Sequence, residues 1–377
     1  MRLCSFVLVL ALLPACSTVP TEAPAGPAPA FADVSAADRE AGADRFPVEV
    51  RGQWGYIDRH GELAIAPQFD AARPFSEGRA AVQTAAGWGF VDPAGRLAVA
   101  PVWDEVSDVA GGRARVAVRT PAGLRYGFVD AEGAEVVPPE AVAAYDFAAG
   151  LAPVRFVERD APLGLPLLAA IGQPGPGPWR LVGPDGATRA RLDVESVTAG
   201  AADPGLNAAF PVEVSGGFTG ARRWGYADRT GRIAIRPRFE AAGRFAEGLA
   251  PAAQGGAFGF VGPDGQFVAP PQYDAAFGVS DGRVRVARGG RWGFLAVDEV
   301  RAGATPELAW DAALDASEGL AAVQRDGRWG YLGPDGALVL PLRYAFATPF
   351  RNGLALVRDA EGLAYIDPTG AVVWRGE

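Results

Sequence analysis

The side chains in this chain that could do chemistry recur at fixed spacing, and the recurrence governs how each is read. Asp58, Asp92, Asp130 and Asp228 each open a Gly-containing turn. A short carboxylate there either accepts the turn's own amides or contributes to a calcium ladder. Calcium prefers about six to eight oxygen ligands and each turn offers one or two carboxylates, so the amide-accepting role is the expected one. Glu77, Glu247 and Glu318 stand at a repeated Glu-Gly step. A glycosidase pair needs two carboxylates facing one cleft at roughly 5 to 10 Å, and nothing singles out two of these three. His60 is the single histidine and lies in a turn beside Gly61, without the orienting partner and burial that a general base needs. No lysine occurs, which removes Schiff-base chemistry. The Gly-rich turns lack the strand, GxxxxGK[ST], helix context of a phosphate loop. Catalytic, cofactor-binding and metal-ligating residues are therefore all expected to be absent.

These positions repeat because the elements that carry them repeat. Trp54-Gly55-Tyr56-Ile57-Asp58 is followed by Gly61, Pro67, Phe69, Asp70, Phe75 and Gly78, and Trp54 and Trp88, Trp224 and Phe258, Phe258 and Trp292, and Trp329 and Leu363 are each 34 residues apart. Alternation of large and small residues from Trp54 to Asp58 predicts a half-buried strand, closed by a tight turn. Turns such as Asp92-Pro93-Ala94-Gly95 and Gly333-Pro334-Asp335-Gly336 set Pro for the second position and Gly for the positive φ. A second strand runs from Leu63 to Phe69, a longer link carries Phe75-Ser76-Glu77-Gly78, and a third strand runs from Arg79 to Gln83. Phased on the longer link, units start at Gly42, Gly78, Gly112, Gly150, Gly205, Gly248, Gly282, Gly319 and Gly353. The expected fold is all-β: a tandem array of about nine three-stranded antiparallel meander units. Propellers usually have about four to eight four-stranded blades, so an open solenoid-like superhelix is the first expectation and a closed propeller-like ring the alternative. Phe210-Pro211-Val212-Glu213-Val214 repeats Phe46 to Val50 verbatim, the mark of a block duplication.

Trp54, Trp88, Tyr126, Trp224, Phe258, Trp292 and Trp329 head the repeated strand. Burying about 200 Å² of Trp at roughly 25 cal/mol per Å² gives on the order of 5 kcal/mol as an upper bound, so these rings are expected as repeat-core aromatics. The competing reading is a ladder of exposed rings for sugars. Replacement by Phe, and by Leu363, favours core. The glycine after each ring leaves a slot for a neighbouring ring or backbone.

Residues 1–15 combine Arg2, an apolar run from Leu3 to Leu13 and small residues before a cysteine, the layout of an export signal. Leu13-Pro14-Ala15-Cys16 resembles the lipobox of bacterial lipoproteins, which implies lipidation at Cys16; plain secretory cleavage would leave Cys16 a free thiol. Ser17 in place of Asp resembles the signal for routing to the outer membrane. Cys4 leaves with the signal, so the chain keeps no thiol for a disulfide. Residues 16–44, rich in Ala, Pro and Thr, read as a disordered tether, and 45–377 as the repeat array. A divergent insertion over about 155–178 is either a docking loop or an elaborated hairpin. No second apolar run reaches the ~20 residues of a membrane span. A formal net charge of -9 disfavours nucleic acid, which needs basic patches.

The coincidence of Trp-Gly-Tyr/Phe-Ile/Val-Asp, Gly, Pro, Phe-Asp and Phe-Ser-Glu-Gly in one phase resembles the WG-repeat (KWG) family of bacterial proteins, from Asp44 to Trp374. The resemblance implies an all-β repeat protein, often exported or lipid-anchored, with no catalytic motif to carry over. Together with the signal and tether it leads to a lipid-anchored, non-catalytic interaction scaffold at the bacterial cell envelope. The expected partner is a protein or a cell-wall glycan, and the alternative function is a carbohydrate or peptidoglycan-binding module that uses the aromatics.

Overall fold

A computed structural model of the chain describes residues 44–157, 176–197, 210–216 and 221–376. The signal, Cys16 with nearly all of the tether, and 158–175 of the insertion lie outside the described residues. Among the described residues nine antiparallel sheets follow one another in chain order. The first comprises β1 (Phe46–Val50), β2 (Gln53–Ile57) and β3 (Leu63–Phe69). The second comprises β4 (Ala71–Ala72), β5 (Ala80–Thr84), β6 (Gly87–Val91) and β7 (Leu97–Trp103) in that spatial order. Seven of the nine sheets have four strands, where three were expected. The extra strand is two residues long, pairing Ala71 with Gln83 and Ala72 with Val82, and two residues show no period. The second sheet therefore begins just after the Phe69-Asp70 step, upstream of Gly78, which sets the expected phase.

That short strand also explains why the array closes. Only Asp70 separates β3 of one sheet from β4 of the next, and a single residue links the sheets again at Asp104, Val142, Glu240, Asp274 and Ala345, so these links have little slack and a similar rotation repeats; a repeated rotation that closes makes a ring. At the seam, Phe46 and Val48 of β1 share a buried cluster with Leu354 and Tyr365 of the ninth sheet. The Tyr365 hydroxyl donates to the Pro47 carbonyl at 3.0 Å, and the Phe46 and Tyr365 rings lie 5.6 Å apart. The open superhelix is thus corrected to the closed alternative, a nine-bladed propeller.

Packing between blades carries the core. Tyr56, Ile65 and Phe69 of the first blade are buried with Phe75, Ala80, Val82 and Val91 of the second. The fully buried ring is the one two residues after the Trp: Tyr56, Phe90, Phe128, Tyr226, Phe260 and Tyr331 are all at 0 or 1% exposure. Its hydroxyl, where present, donates to a backbone carbonyl of the next blade: Tyr56 to Arg73 at 2.8 Å, Tyr226 to Gly243 at 2.9 Å and Tyr331 to Thr348 at 2.8 Å. Burial pushes all three hydroxyls well above the usual tyrosine range. The glycine between the two aromatics is a point of close approach. A Cβ on Gly55 would sit 2.5 Å from the Ile65 carbonyl oxygen, and one on Gly89 2.5 Å from that of Val99. The adjacent strand is bulged there, between the pairs Trp54–Phe69 and Tyr56–Ile65.

The seventh blade departs from the pattern. After its strands Ala275–Ala276, Arg283–Arg288 and Arg291–Ala296 the chain enters a short helix, α1 (Val297–Arg301). It then returns along the sheet edge, where Trp292 and Trp310 exchange backbone hydrogen bonds of 2.8 and 3.2 Å.

Candidate binding site

The seven strand-heading aromatics, Trp54, Trp88, Tyr126, Trp224, Phe258, Trp292 and Trp329, are half-buried and pack against the blade cores from their edges. Several are capped by a guanidinium: Arg73 lies 5.0 Å from the centre of Trp88, Arg115 5.3 Å from Tyr126 and Arg285 4.9 Å from Trp292. The Tyr126 hydroxyl is raised by burial and then by the Glu105 carboxylate. A continuous ladder of bare rings is therefore not what the surface offers.

The turn aspartates accept amides as expected. Asp58 takes those of His60 and Glu62 at 2.8 and 3.0 Å, and Asp92, Asp130 and Asp228 repeat the arrangement. Backbone hydrogen bonding, led by Glu62, holds the Asp58 carboxyl below the usual range. His60 is exposed. No cluster of three or more candidate metal ligands occurs among the described residues.

The Glu-Gly steps are two-residue hairpin turns with both residues left-handed, as at Glu77 (φ 49°) and Gly78 (φ 77°). The side chains of Glu77 and Glu318 reach the next blade's turn. Glu77 accepts the amides of Gly111 and Gly112 at 2.9 and 2.7 Å, and Ser76 donates to the Val109 carbonyl at 2.7 Å. Ser317 likewise donates to Phe350 at 2.7 Å, and Glu318 accepts from Asn352 and Gly353. In a ring, equivalent atoms of neighbouring blades separate in proportion to their radius. Turns that hydrogen-bond to their own equivalents therefore encircle the axis. The sequence placed these glutamates in the repeat but gave no sign that Glu77 and Glu318 would clasp the neighbouring blade.

Beside these axial turns a cleft of about 330 Å³ opens between the second, third and fourth blades, lined by Arg73, Trp88, Glu105, Ser107, Asp108, Arg115 and Asp146 among others. Arg73 lies 3.7 Å from Asp108, and the Arg115 Nε donates to Asp146 at 2.9 Å. Ser107 Oγ accepts from the Arg115 amide at 3.0 Å and donates to the Asp108 carbonyl at 2.9 Å. The cleft presents charged donors, charged acceptors and one indole. It contains no nucleophile paired with a base.

The block duplication supplies an internal comparison for this cleft. Positions 170 residues on in the sixth and seventh blades hold Gly243 for Arg73, Phe258 for Trp88, Phe277 for Ser107 and Gly278 for Asp108, while Arg115 corresponds to Arg285. The ion pair is kept, since Arg285 Nε donates to Asp315 at 2.8 Å. Phe277 instead lies on that guanidinium at 3.8 Å and against Trp292 at 5.8 Å. The framework thus accepts an aromatic ring over the arginine at this place, and the polar lining in the first block is not demanded by folding. Nothing in the sequence alone pointed to it, because its lining comes from three blades.

A profile of the WG containing repeat matches residues 54–85, 88–119, 126–156, 224–256, 258–292 and 329–361. No curated protein matches the chain. Among solved structures, the crystal structure of the eukaryotic initiation factor is similar at 13% identity over 87% of this chain and 94% of that one, with a TM-score of 0.59. BamB from Moraxella catarrhalis is similar at 12% identity over 85% of this chain and 98% of that one, with a TM-score of 0.45. At 13% identity the likeness to the first of these is one of fold.

Proposed function

Since this chain belongs to the family of WG-containing repeat proteins, we propose that it is a non-catalytic binding scaffold, held at the bacterial cell envelope by a lipid on Cys16. The lipobox-like Leu13-Pro14-Ala15-Cys16 and the Ala/Pro-rich residues after it support the anchor and an outer-membrane location. The observation that carries the binding role is the cleft at the second to fourth blades, polar and open where its duplicate holds Phe277. A volume of about 330 Å³ falls at the small end of ligand sites, enough for one or two residues of a partner protein. A glycan partner is the second reading. Only Trp88 offers it a ring in the cleft, flanked by Asp108 and Asp146 as acceptors.

The test is cross-linking in the native envelope with the wild-type chain and with Arg73→Gly/Ser107→Phe/Asp108→Gly, which rebuilds the duplicate's surface. Folding is expected to survive, and the wild type's specific cross-linked partner to be lost. Equal recovery from both chains would refute the cleft as the binding site. A glycan array with the same pair distinguishes the second reading. Turnover of any cell-wall substrate would overturn the non-catalytic assignment.

A further inference from the structure

Around the axis, the turns of the third and ninth blades are receptors for a carboxylate supplied by the blade before them. Glu77 binds both amides of the Gly111-Gly112 turn, and Glu318 both amides of Asn352-Gly353. In both cases the receiving turn begins with a neutral residue. Where it begins with an acid the clasp weakens: Asp281 reaches only the Gly319 amide, beside Glu318, and Glu247 makes no hydrogen bond to the turn that Asp281 begins. Like charges side by side account for the difference.

The fourth blade's turn, Ala149-Gly150, has the receiving geometry and a neutral first residue. Its φ values, 47° and 76°, match those of Gly111-Gly112 at 61° and 71°, and it is closed by the same pair of hydrogen bonds between Ala148 and Leu151. The preceding blade supplies no carboxylate, because Gly111 stands where the second blade has Glu77. No acceptor for the Ala149 and Gly150 amides occurs among the described residues, and Gly150 is exposed. A cation stands beside them. Arg229, from the fifth blade, donates to the Ala149 carbonyl at 3.2 Å, and its Nη2 is 4.0 Å from where a Cβ on Gly150 would be. Among the described residues Arg229 pairs with no carboxylate.

We propose that the Ala149 and Gly150 amides, with the Arg229 guanidinium, form a receptor for a carboxylate side chain of a partner polypeptide, entering at the propeller axis. Two convergent backbone donors bind a carboxylate bidentately, and the guanidinium adds a charge-assisted contact. Specificity for a carboxylate over an amide follows from the donor-only set: a glutamine carboxamide offers one oxygen and places its NH₂ against donors. The site is separate from the cleft and does not depend on the lipid or on the scaffold's envelope location.

The experiment is amide-resolved NMR of the ¹⁵N-labelled chain titrated with acetyl-Gly-Glu-Gly-amide, against acetyl-Gly-Gln-Gly-amide and inorganic phosphate. The glutamate peptide is expected to shift the Ala149 and Gly150 amides saturably, the glutamine peptide at least ten-fold more weakly. Gly111→Glu supplies the missing internal carboxylate. Its left-handed backbone is one that Glu77, Glu247 and Glu318 adopt, and its Cβ meets only Phe147 at 3.6 Å. That variant is expected to lose the peptide response, with its own Ala149 and Gly150 amides moved toward the peptide-bound positions. Arg229→Gln, a surface change, is expected to weaken the response several-fold. Equal responses to the Glu and Gln peptides would overturn the proposal, as would an unaltered response in Gly111→Glu. A phosphate response as strong as that of the glutamate peptide would overturn the assignment to a carboxylate.

Discussion

Truncating Phe46 to alanine tests ring closure directly. In an open array Phe46 would cap one end, and losing its ring would cost little more than a surface change, within about 0.5 kcal/mol. In the closed ring its side chain is 5% exposed, shared between the first and ninth blades, and packed 5.6 Å from Tyr365. About 200 Å² of buried aromatic surface at roughly 25 cal/mol per Å² bounds the loss near 5 kcal/mol, and core Phe→Ala changes cost about 3 to 5 kcal/mol. A fall of about 3 to 4 kcal/mol is therefore expected from the urea midpoint followed by Trp fluorescence, with an unchanged slope. The seam should also behave like an interior junction. Tyr365→Phe removes a 3.0 Å hydrogen bond to Pro47, as Tyr226→Phe removes a 2.9 Å one to Gly243, and each should cost about 1 kcal/mol. A double-mutant cycle of Phe46→Ala with Tyr365→Ala should show about 0.5 to 1.5 kcal/mol of coupling, the range for an aromatic pair. A cost under about 1 kcal/mol for Phe46→Ala, with no coupling, would refute closure through this seam.

Gly89→Ala should destabilise the chain by about 1 to 3 kcal/mol, seen as a lower thermal midpoint, because its Cβ would stand 2.5 Å from the Val99 carbonyl and 2.8 Å from Pro101 N; a neutral result would show that the bulged strand yields freely. Acid should weaken the ninth blade through Asp359, whose carboxyl is held at about 2 chiefly by hydrogen bonding from Arg375. Its folded value is depressed, so its contribution is present above the unfolded value near 3.9 and is lost as pH falls toward 2. The denaturant midpoint of the wild type should therefore drop more steeply than that of Asp359→Asn between pH 5 and pH 2, and parallel curves would reject the assignment. Cys16→Ser should abolish incorporation of labelled fatty acid and release the chain from the membrane fraction; a wild type found wholly soluble would contradict the anchor.

Much of the fold is written in the sequence because a blade is a local object. Two of its links are tight turns whose Gly and Asp chemistry is legible from a few residues, and the strand pairing β2–β3 followed from the alternation at Trp54 to Asp58 and the Pro at 67. The strand Ala71–Ala72 escaped notice because two alanines carry neither period nor β-propensity. Closure depends on the rotation from blade to blade, a geometric quantity that no residue type encodes, so blade number alone pointed to the open array first. The aromatics were half legible. Trp54 and its equivalents pack at the core's edge, but the deeper role belongs to Tyr56, Phe90 and their equivalents, which look like ordinary strand positions in the alternation. The cleft and the axial turns join residues from different blades, and single-sequence patterns do not reveal contacts of that kind.

The duplicated blocks sharpen the functional reading, because the two candidate sites trace to one short stretch. Ser107 to Gly112 of the third blade corresponds to Phe277 to Gly282 of the seventh. Ser107 and Asp108 line the cleft where the seventh blade has Phe277, lying on Arg285, and Gly278, and Gly111 leaves the next turn's amides free where Asp281 caps Gly319. Meanwhile the groups that set the blade's shape are common to both. Arg115 and Arg285 keep their carboxylate partners, and Ser107 and Phe277 donate equivalent amides to the carbonyls of Arg115 and Arg285 at 2.8 and 2.9 Å. If the departures were needed for folding, the variant Ser107→Phe/Asp108→Gly/Ala110→Ser/Gly111→Asp, which writes the seventh blade's link into the third, would unfold. The seventh blade shows that this link fits the same framework, so the variant should keep its thermal midpoint within a few degrees, a stability change of about 1 kcal/mol or less. It should then lose both the cross-linked partner and the glutamate-peptide response. A large fall in the midpoint would mean that the third blade's polar link serves stability, and the case for function at this face would fall with it.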